Sequence, residues 1–163
     1  MNYLPAVSCS FTGHRTIPHA EESAIRSRLA QTVFQLYREG YRAFIAGGAL
    51  GFDTIAAEVV LALKPKLTEI SLILVLPCGD QADRWREDDR ARYEALKEKA
   101  DEVICLAPTY FDGCMQARNR YMVDASSACI AYMTRPYSGA GQTVRMAERA
   151  GLRVFNVAPT NRS

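Results

Sequence analysis

With 163 residues the chain has room for one domain, one that buries about two thirds of its unfolded surface. Its 48% hydrophobic and 23% charged residues are an ordinary globular composition, and a net charge of +2 neither demands nucleic acid nor forbids it. The longest apolar run, Ile70 to Pro77, is too short to span a membrane.

Val7 to Thr12 reads as a buried strand closed by Gly13. From Glu21 to Arg38, apolar residues recur at helical spacing (Ile25, Leu29, Val33, Leu36), and the helix stops at Gly40. A second strand, Tyr41 to Ile45, runs into Ala46-Gly47-Gly48-Ala49-Leu50-Gly51-Phe52-Asp53. The helix after it, Thr54 to Lys64, carries Ile55, Val59 and Leu63 on one face. Ser71 to Leu76 is an aliphatic strand ended by Pro77, and the polar segment from Cys78 to Arg92 leads into a helix reaching about Ala100. Strand Glu102 to Leu106, helix Gly113 to Ala125, strand Ala128 to Met133, helix Ala140 to Ala150 and strand Leu152 to Val157 complete the count. Strict β/α alternation predicts a single doubly wound α/β domain over residues 1–163, its mostly parallel sheet covered on both faces. Ligands of such sheets lie outside the carboxyl ends of the strands, where strand order reverses.

The turns that follow strands therefore draw attention. Glycines 47, 48 and 51 can let a ligand approach the backbone, and the helix after them offers free N–H groups and a positive dipole end. Asp53 would compete with a phosphate there and suits a ribose hydroxyl better; equally, the motif can be a tight turn with a capping carboxylate. After the first strand, Gly13 permits a tight turn, Arg15 can grip a phosphate with its two-pronged guanidinium, and His14 can donate to the same group. Before the last helix, Ser138, Gly139, Gly141 and Thr143 form a second turn competent for an anion, with Ser138 also a plain N-cap.

Asn119 stands out on its helix. Its neighbours Met115, Met122 and Val123 place it on the apolar stripe, so its amide should point inward and find a partner, in a loop, a ligand or both. Arg118 and Arg120 flank it on either side. Trp85, the only tryptophan, lies four residues past Gln81 and can stack on a base or pin its loop to the core. Tyr110 and Phe111 are weaker candidates of the same kind. The five cysteines show no CxxC spacing, and with two histidines a zinc site is not expected. An odd cysteine count without a secretory signal points to a reduced, cytoplasmic setting.

Taken together these motifs resemble the SLOG superfamily of Rossmann-like nucleotide-binding proteins. AGGALGFD followed by Ala56-Ala57, and Arg118-Asn119-Arg120 with Ser126 and Ser138-Gly139 beyond, resemble the core of the DNA-processing Smf/DprA family. Thr12-Gly13-His14-Arg15, Gln81 with Trp85, and the short length are closer to the YpsA-like branch. The likeness covers roughly residues 7 to 157. It departs from the phosphoribohydrolase branch, whose glycine motif continues into Thr-x-x-Glu: Phe52 stands at the Thr position and Ile55 at the Glu position.

The resemblance and the residues together imply a protein that binds a nucleotide-derived small ligand, ADP-ribose-like or NAD-like, as a sensor or binding protein. No cofactor is expected beyond such a bound nucleotide (ADP-ribose, NAD or a nucleoside monophosphate), and no metal. Gly13, His14, Arg15, Gly47, Gly48, Gly51, Asp53, Gln81, Trp85, Arg118, Asn119, Ser138, Gly139, Gly141 and Thr143 are the expected ligand-binding residues. A homo-oligomer is expected, and no membrane partner. The sequence leaves turnover open and names no catalytic residue. One alternative is hydrolysis of a nucleotide N-glycosidic bond, with Asp53 or Glu58 the nearby carboxylates. The other is a single-stranded nucleic-acid module using Arg118, Arg120 and the Arg84 to Arg92 segment.

Overall fold

The computed structural model describes residues 3–159 and contains one six-stranded sheet, all parallel. Its strands are β1 (Ser8–Gly13), β2 (Ala43–Ala46), β3 (Ser71–Leu76), β4 (Glu102–Cys105), β5 (Ala128–Tyr132) and β6 (Arg153–Asn156). The helices between them are α1 (Glu22–Arg38), α2 (Phe52–Leu63), α3 (Glu87–Lys99), α4 (Cys114–Asp124) and α5 (Gly139–Arg149). All the expected elements form, most with boundaries shifted by a residue or two; α3 starts at Glu87, inside the segment expected to be irregular as far as Arg92.

Strand order is β4-β3-β2-β1-β5-β6. The chain steps outward from β1 to β4, then α4 carries it back to start β5 on the other side of β1. The first and second runs thus part between β1 and β5, and the crevice at their carboxyl ends is where a doubly wound sheet places a ligand.

Side-chain alternation along the central strands divides the core. Leu72, Leu74 and Leu76 of β3 pack with Phe11, Phe44 and Ile130 against α1, α2 and α3. Ile73 and Val75 point the opposite way, onto Met122 of α4 with Ala43 and Ile45. Val123, Cys129 and Ala147 close the same face beneath α5. Strands buried on both sides have no polar register, which is why Ser71–Leu76 reads as a continuous aliphatic run. Phe52, the first residue of α2, meets Phe11 edge-on and stacks on Tyr132, anchoring the glycine loop to β1 and β5.

Candidate functional site

A cleft of about 300 Å³ lies at the β1/β5 crevice. Thr12 to Arg15 wall it from the end of β1, Asp53 from the first turn of α2, and Met115, Arg118 and Asn119 from α4. Arg135, Ser138, Gly139 and Ala140 close it from the loop between β5 and α5. Of the fifteen expected residues, the fold gathers Gly13, His14, Arg15, Asp53, Arg118, Asn119, Ser138 and Gly139 around this one cavity.

Arg118 is the buried centre, only 5% exposed. Its Nη1 donates to the Gly47 carbonyl at 2.6 Å and its Nε to Asn119 Oδ1 at 2.8 Å, while Nη2 approaches the Met115 sulfur. Asp53, 7% exposed, accepts from the Ala49 N–H through Oδ2 at 3.3 Å. The two opposite charges meet across Gly47: a Cβ placed there would sit 2.5 Å from Arg118 Nη1 and 2.8 Å from Asp53 Oδ2. Burial pushes the Asp53 carboxyl above its ordinary range, against the pull of Arg118 and of the Ala49 N–H. Burial likewise lowers Arg118, and Asp53 opposes the shift. Each charge favours the ionised form of the other, and for both groups burial outweighs that pull.

The glycines answer to contacts within the chain. Gly47 is required for the approach of Arg118 and Asp53. Gly48 has φ +72°, and a Cβ there would lie 2.7 Å from Leu76 Cδ2. Gly51, φ +78°, packs against the His14 and Arg15 backbone. The loop is closed on the protein itself, and none of the three glycines lines the main cleft.

His14 differs from expectation. Its Nε2 accepts from the Thr134 N–H at 2.9 Å and the Arg135 N–H at 3.4 Å. Burial and the Arg135 cation lower its pKa, so the ring is neutral at physiological pH and braces the β5–α5 loop. That nitrogen is not free to donate to a phosphate.

Asn119 is half-buried, because the helix line facing inward is Cys114, Arg118 and Met122. Its Oδ1 accepts from the Arg118 Nε, and its NH₂ has no partner among the described residues. Arg118 leans inward and Arg120 outward.

The start of α5 supplies the anion-facing groups. Ser138 Oγ caps the helix by accepting from Gly141 N–H at 3.0 Å and donates to Arg135 O. The N–H groups of Gly139 and Ala140 keep no acceptor among the described residues. Gly141 packs against the Pro136 carbonyl, and Thr143 Oγ1 donates back to Gly139 O, so both serve the helix rather than the cleft. Arg15 and Arg135, both exposed, stand at the cleft with guanidinium groups free of carboxylate partners among the described residues. Arg135 was not among the sequence candidates. The available signal was an arginine three residues before the helix-capping serine.

Gln81 and Trp85 lie in a neighbouring compartment. Gln81 Nε2 donates to Gly48 O at 3.3 Å and Tyr93 OH at 3.4 Å. Trp85 packs edge-on against Tyr93 and onto the core, so it pins its loop. Of the two carboxylates considered for hydrolysis, Glu58 is held by Arg26 and Arg92 at 2.8 Å each and does not line the cleft, whereas Asp53 lines it under the field of Arg118. Ile55 is buried in the core. The basic segment is largely spent as well: Arg90 donates to Ala82 and Asp83 carbonyls and Arg92 to Glu58.

The model of the YspA SLOG family, YpsA, matches residues 14–150. The chain belongs to this family. Among its relatives, a UPF0398 protein of Halalkalibacterium halodurans is 32% identical over 114 residues, 69% of this chain and 60% of that protein. The SPbeta prophage-derived protein YoqJ of Bacillus subtilis is 30% identical over 141 residues, 78% of this chain and 82% of that one. This YspA SLOG chain thus spans about three fifths of the UPF0398 relative and most of YoqJ. Its fold matches DNA processing protein A of Helicobacter pylori, with a TM-score of 0.67 at 22% identity over 97% of this chain and 67% of that chain. The Streptococcus pneumoniae protein of the same name gives 0.68 at 17%, over 97% and 51%. These similarities establish the SLOG assignment and the DprA-like Rossmann fold. Among the described residues, no helix is long and apolar enough to cross a membrane and no cluster of His, Cys, Asp and Glu could hold a metal.

Proposed function

We propose that the protein binds a nucleotide-derived small ligand, ADP-ribose-like or NAD-like, at the β1/β5 crevice. One observation carries this reading: two N–H groups of α5 with no acceptor among the described residues, and Arg15 and Arg135, neither in a salt bridge among them, line one cavity. A phosphate there gains charge-assisted hydrogen bonds and the favourable end of the helix dipole. The buried Arg118–Asp53 pair sets the floor, and the Asn119 NH₂ offers a donor for a sugar hydroxyl. Thermal-shift titration with ADP-ribose, NAD and AMP tests it. Saturation a hundredfold above Kd stabilises by about 2.7 kcal/mol, which at this size raises Tm by about 5–10 °C. No stabilisation by any of them at millimolar concentration would reject the proposal.

A second reading, binding of single-stranded DNA, has its own support. The Helicobacter pylori protein has a described single-stranded DNA binding mode. Here Tyr110, Phe111 and Tyr137 are exposed in loops at the carboxyl ends of the strands, where bases can stack. Anisotropy of a labelled oligothymidylate discriminates the two. Micromolar binding that falls steeply with salt favours DNA, whereas competition by ADP-ribose alone favours the first reading.

A further inference from the structure

Beyond the main cleft a second compartment of about 500 Å³ opens between the β3–α3 loop and α4. Cys78, Asp80, Gln81, Trp85, Tyr110 and Met115 are among its walls. Met115 lines both cavities, so its side chain is the partition between them.

Gln81 is the anomaly. Its amide orientation is set by the two bonds that Nε2 donates, to Gly48 O and Tyr93 OH. Oε1 is therefore left as an acceptor; it is sealed from solvent and no donor reaches it. Buried acceptors without donors are rare and destabilising, and each one calls for an explanation. The walls hold two carboxylates beside it. Asp80 Oδ1 already takes the Tyr110 N–H at 3.0 Å, and Asp83 adds a second carboxylate. Trp85 and Tyr110 supply aromatic surface, and Arg84 is the one cation of the lining. Acceptors beside aromatic rings fit a planar ring that carries N–H donors on its edge. Met115, unbranched and free to turn about three bonds, is suited to yield when such a ring enters.

We propose that this compartment seats the base of the ligand, and that Gln81 Oε1 accepts a hydrogen bond from its exocyclic amine. This rests on the nucleotide reading of the main cleft, which would hold the phosphate and sugar. A site built around an acceptor discriminates against an analogue lacking the donor, because the acceptor is then left unpaired.

Calorimetric titration of the intact protein tests the idea with two analogue pairs. AMP differs from purine riboside 5′-monophosphate by the 6-amino group, and GMP differs from IMP by the 2-amino group. Ribose 5-phosphate reports the main cleft without a base. At least one amino-bearing nucleotide should bind tenfold or more tightly than its partner, and Gln81→Met should erase that preference while leaving ribose 5-phosphate affinity within about twofold. Equal affinities within both pairs, with ribose 5-phosphate still bound, would overturn the base assignment and leave the cleft reading standing. If Gln81→Met weakened ribose 5-phosphate as much as the nucleotides, Gln81 would be only a brace of the glycine loop, and the assignment would fail. If no compound bound, both readings would fall. Should Gln81→Met not fold, the wild-type pairs decide alone.

Discussion

Replacing Arg118 by Met removes the guanidinium while keeping most of the volume. Two charge-assisted hydrogen bonds, to Gly47 O and Asn119 Oδ1, disappear. Asp53, 7% exposed, loses the stronger of the two cations that act on it and keeps only Arg15. Both partners are more than nine-tenths buried, so solvent screening offers little relief. Losing two buried hydrogen bonds of a charged group, at about 1.5–3 kcal/mol each, costs about 3–6 kcal/mol, which for a domain of this size lowers Tm by about 6–24 °C. Because the total stability of a domain is only about 5–15 kcal/mol, Arg118→Lys provides a milder companion that keeps the charge. The sign of the pH dependence follows from Asp53. Its native pKa already lies above the ordinary carboxylate value, so the native state takes up a proton before the unfolded chain does. The penalty of burying the charge is thus full at neutral pH and relieved as pH falls toward the unfolded value of about 3.9. Loss of Arg118 raises the native pKa further. The stability gap between Arg118→Met and wild type should therefore narrow from pH 7 to pH 5, and adding Asp53→Asn should recover at least about 1 kcal/mol at pH 7. Urea unfolding at both pH values measures this. A gap under about 1 kcal/mol, or one indifferent to pH and to Asp53→Asn, would refute the coupled pair.

Four further outcomes are expected. Gly48→Val should lower Tm whether or not ligand is present, because its Cβ meets Leu76 at φ +72°; a stable variant defective only in binding would restore the glycine to a ligand role. His14 has a lowered native pKa, so its contribution is intact above the unfolded value of about 6.5 and is lost as pH falls through the native one. Amide exchange at Thr134 and Arg135 should accelerate over that interval, and His14→Phe should remove the pH dependence. Arg135→Ala should weaken phosphate-bearing ligands by about tenfold, or 1.4 kcal/mol, with Tm unchanged in calorimetry. Incubation with AMP, NAD or ADP-ribose should release no free base by chromatography, since Glu58 is held by Arg26 and Arg92; release abolished by Asp53→Asn would reassign the protein as a hydrolase.

Much of the architecture was legible because β/α alternation leaves few topologies. The continuous aliphatic run of β3 and the stripe of Ile25, Leu29, Val33 and Leu36 translate directly into buried faces. The turns after β1 and before α5 were legible for the same reason, since the fold brings strand ends together. The glycine loop was not. Glycine reports that something comes close without saying what, and within the chain the visitors are Arg118, Leu76 and the Arg15 backbone. Asn119 was placed on the inward line of α4, which runs one position earlier through Arg118. Its long side chain is buried only because Gly47 O and Asp53 wait for it, a pairing 71 residues apart in sequence. Arg135 belongs to no periodic element, so only the tertiary meeting of the β5–α5 loop with His14 brings it to the cleft.

The claim that a phosphate-bearing ligand sits on the start of α5 is tested most directly by an amide NMR titration with ADP-ribose. Resonances of Gly139 and Ala140 should move saturably together with those of residues 13–15, and the movement should be lost in an Arg15→Ala, Arg135→Ala double variant. Static Gly139 and Ala140 amides at millimolar ADP-ribose, or shifts confined to residues outside the β1/β5 crevice, would contradict it.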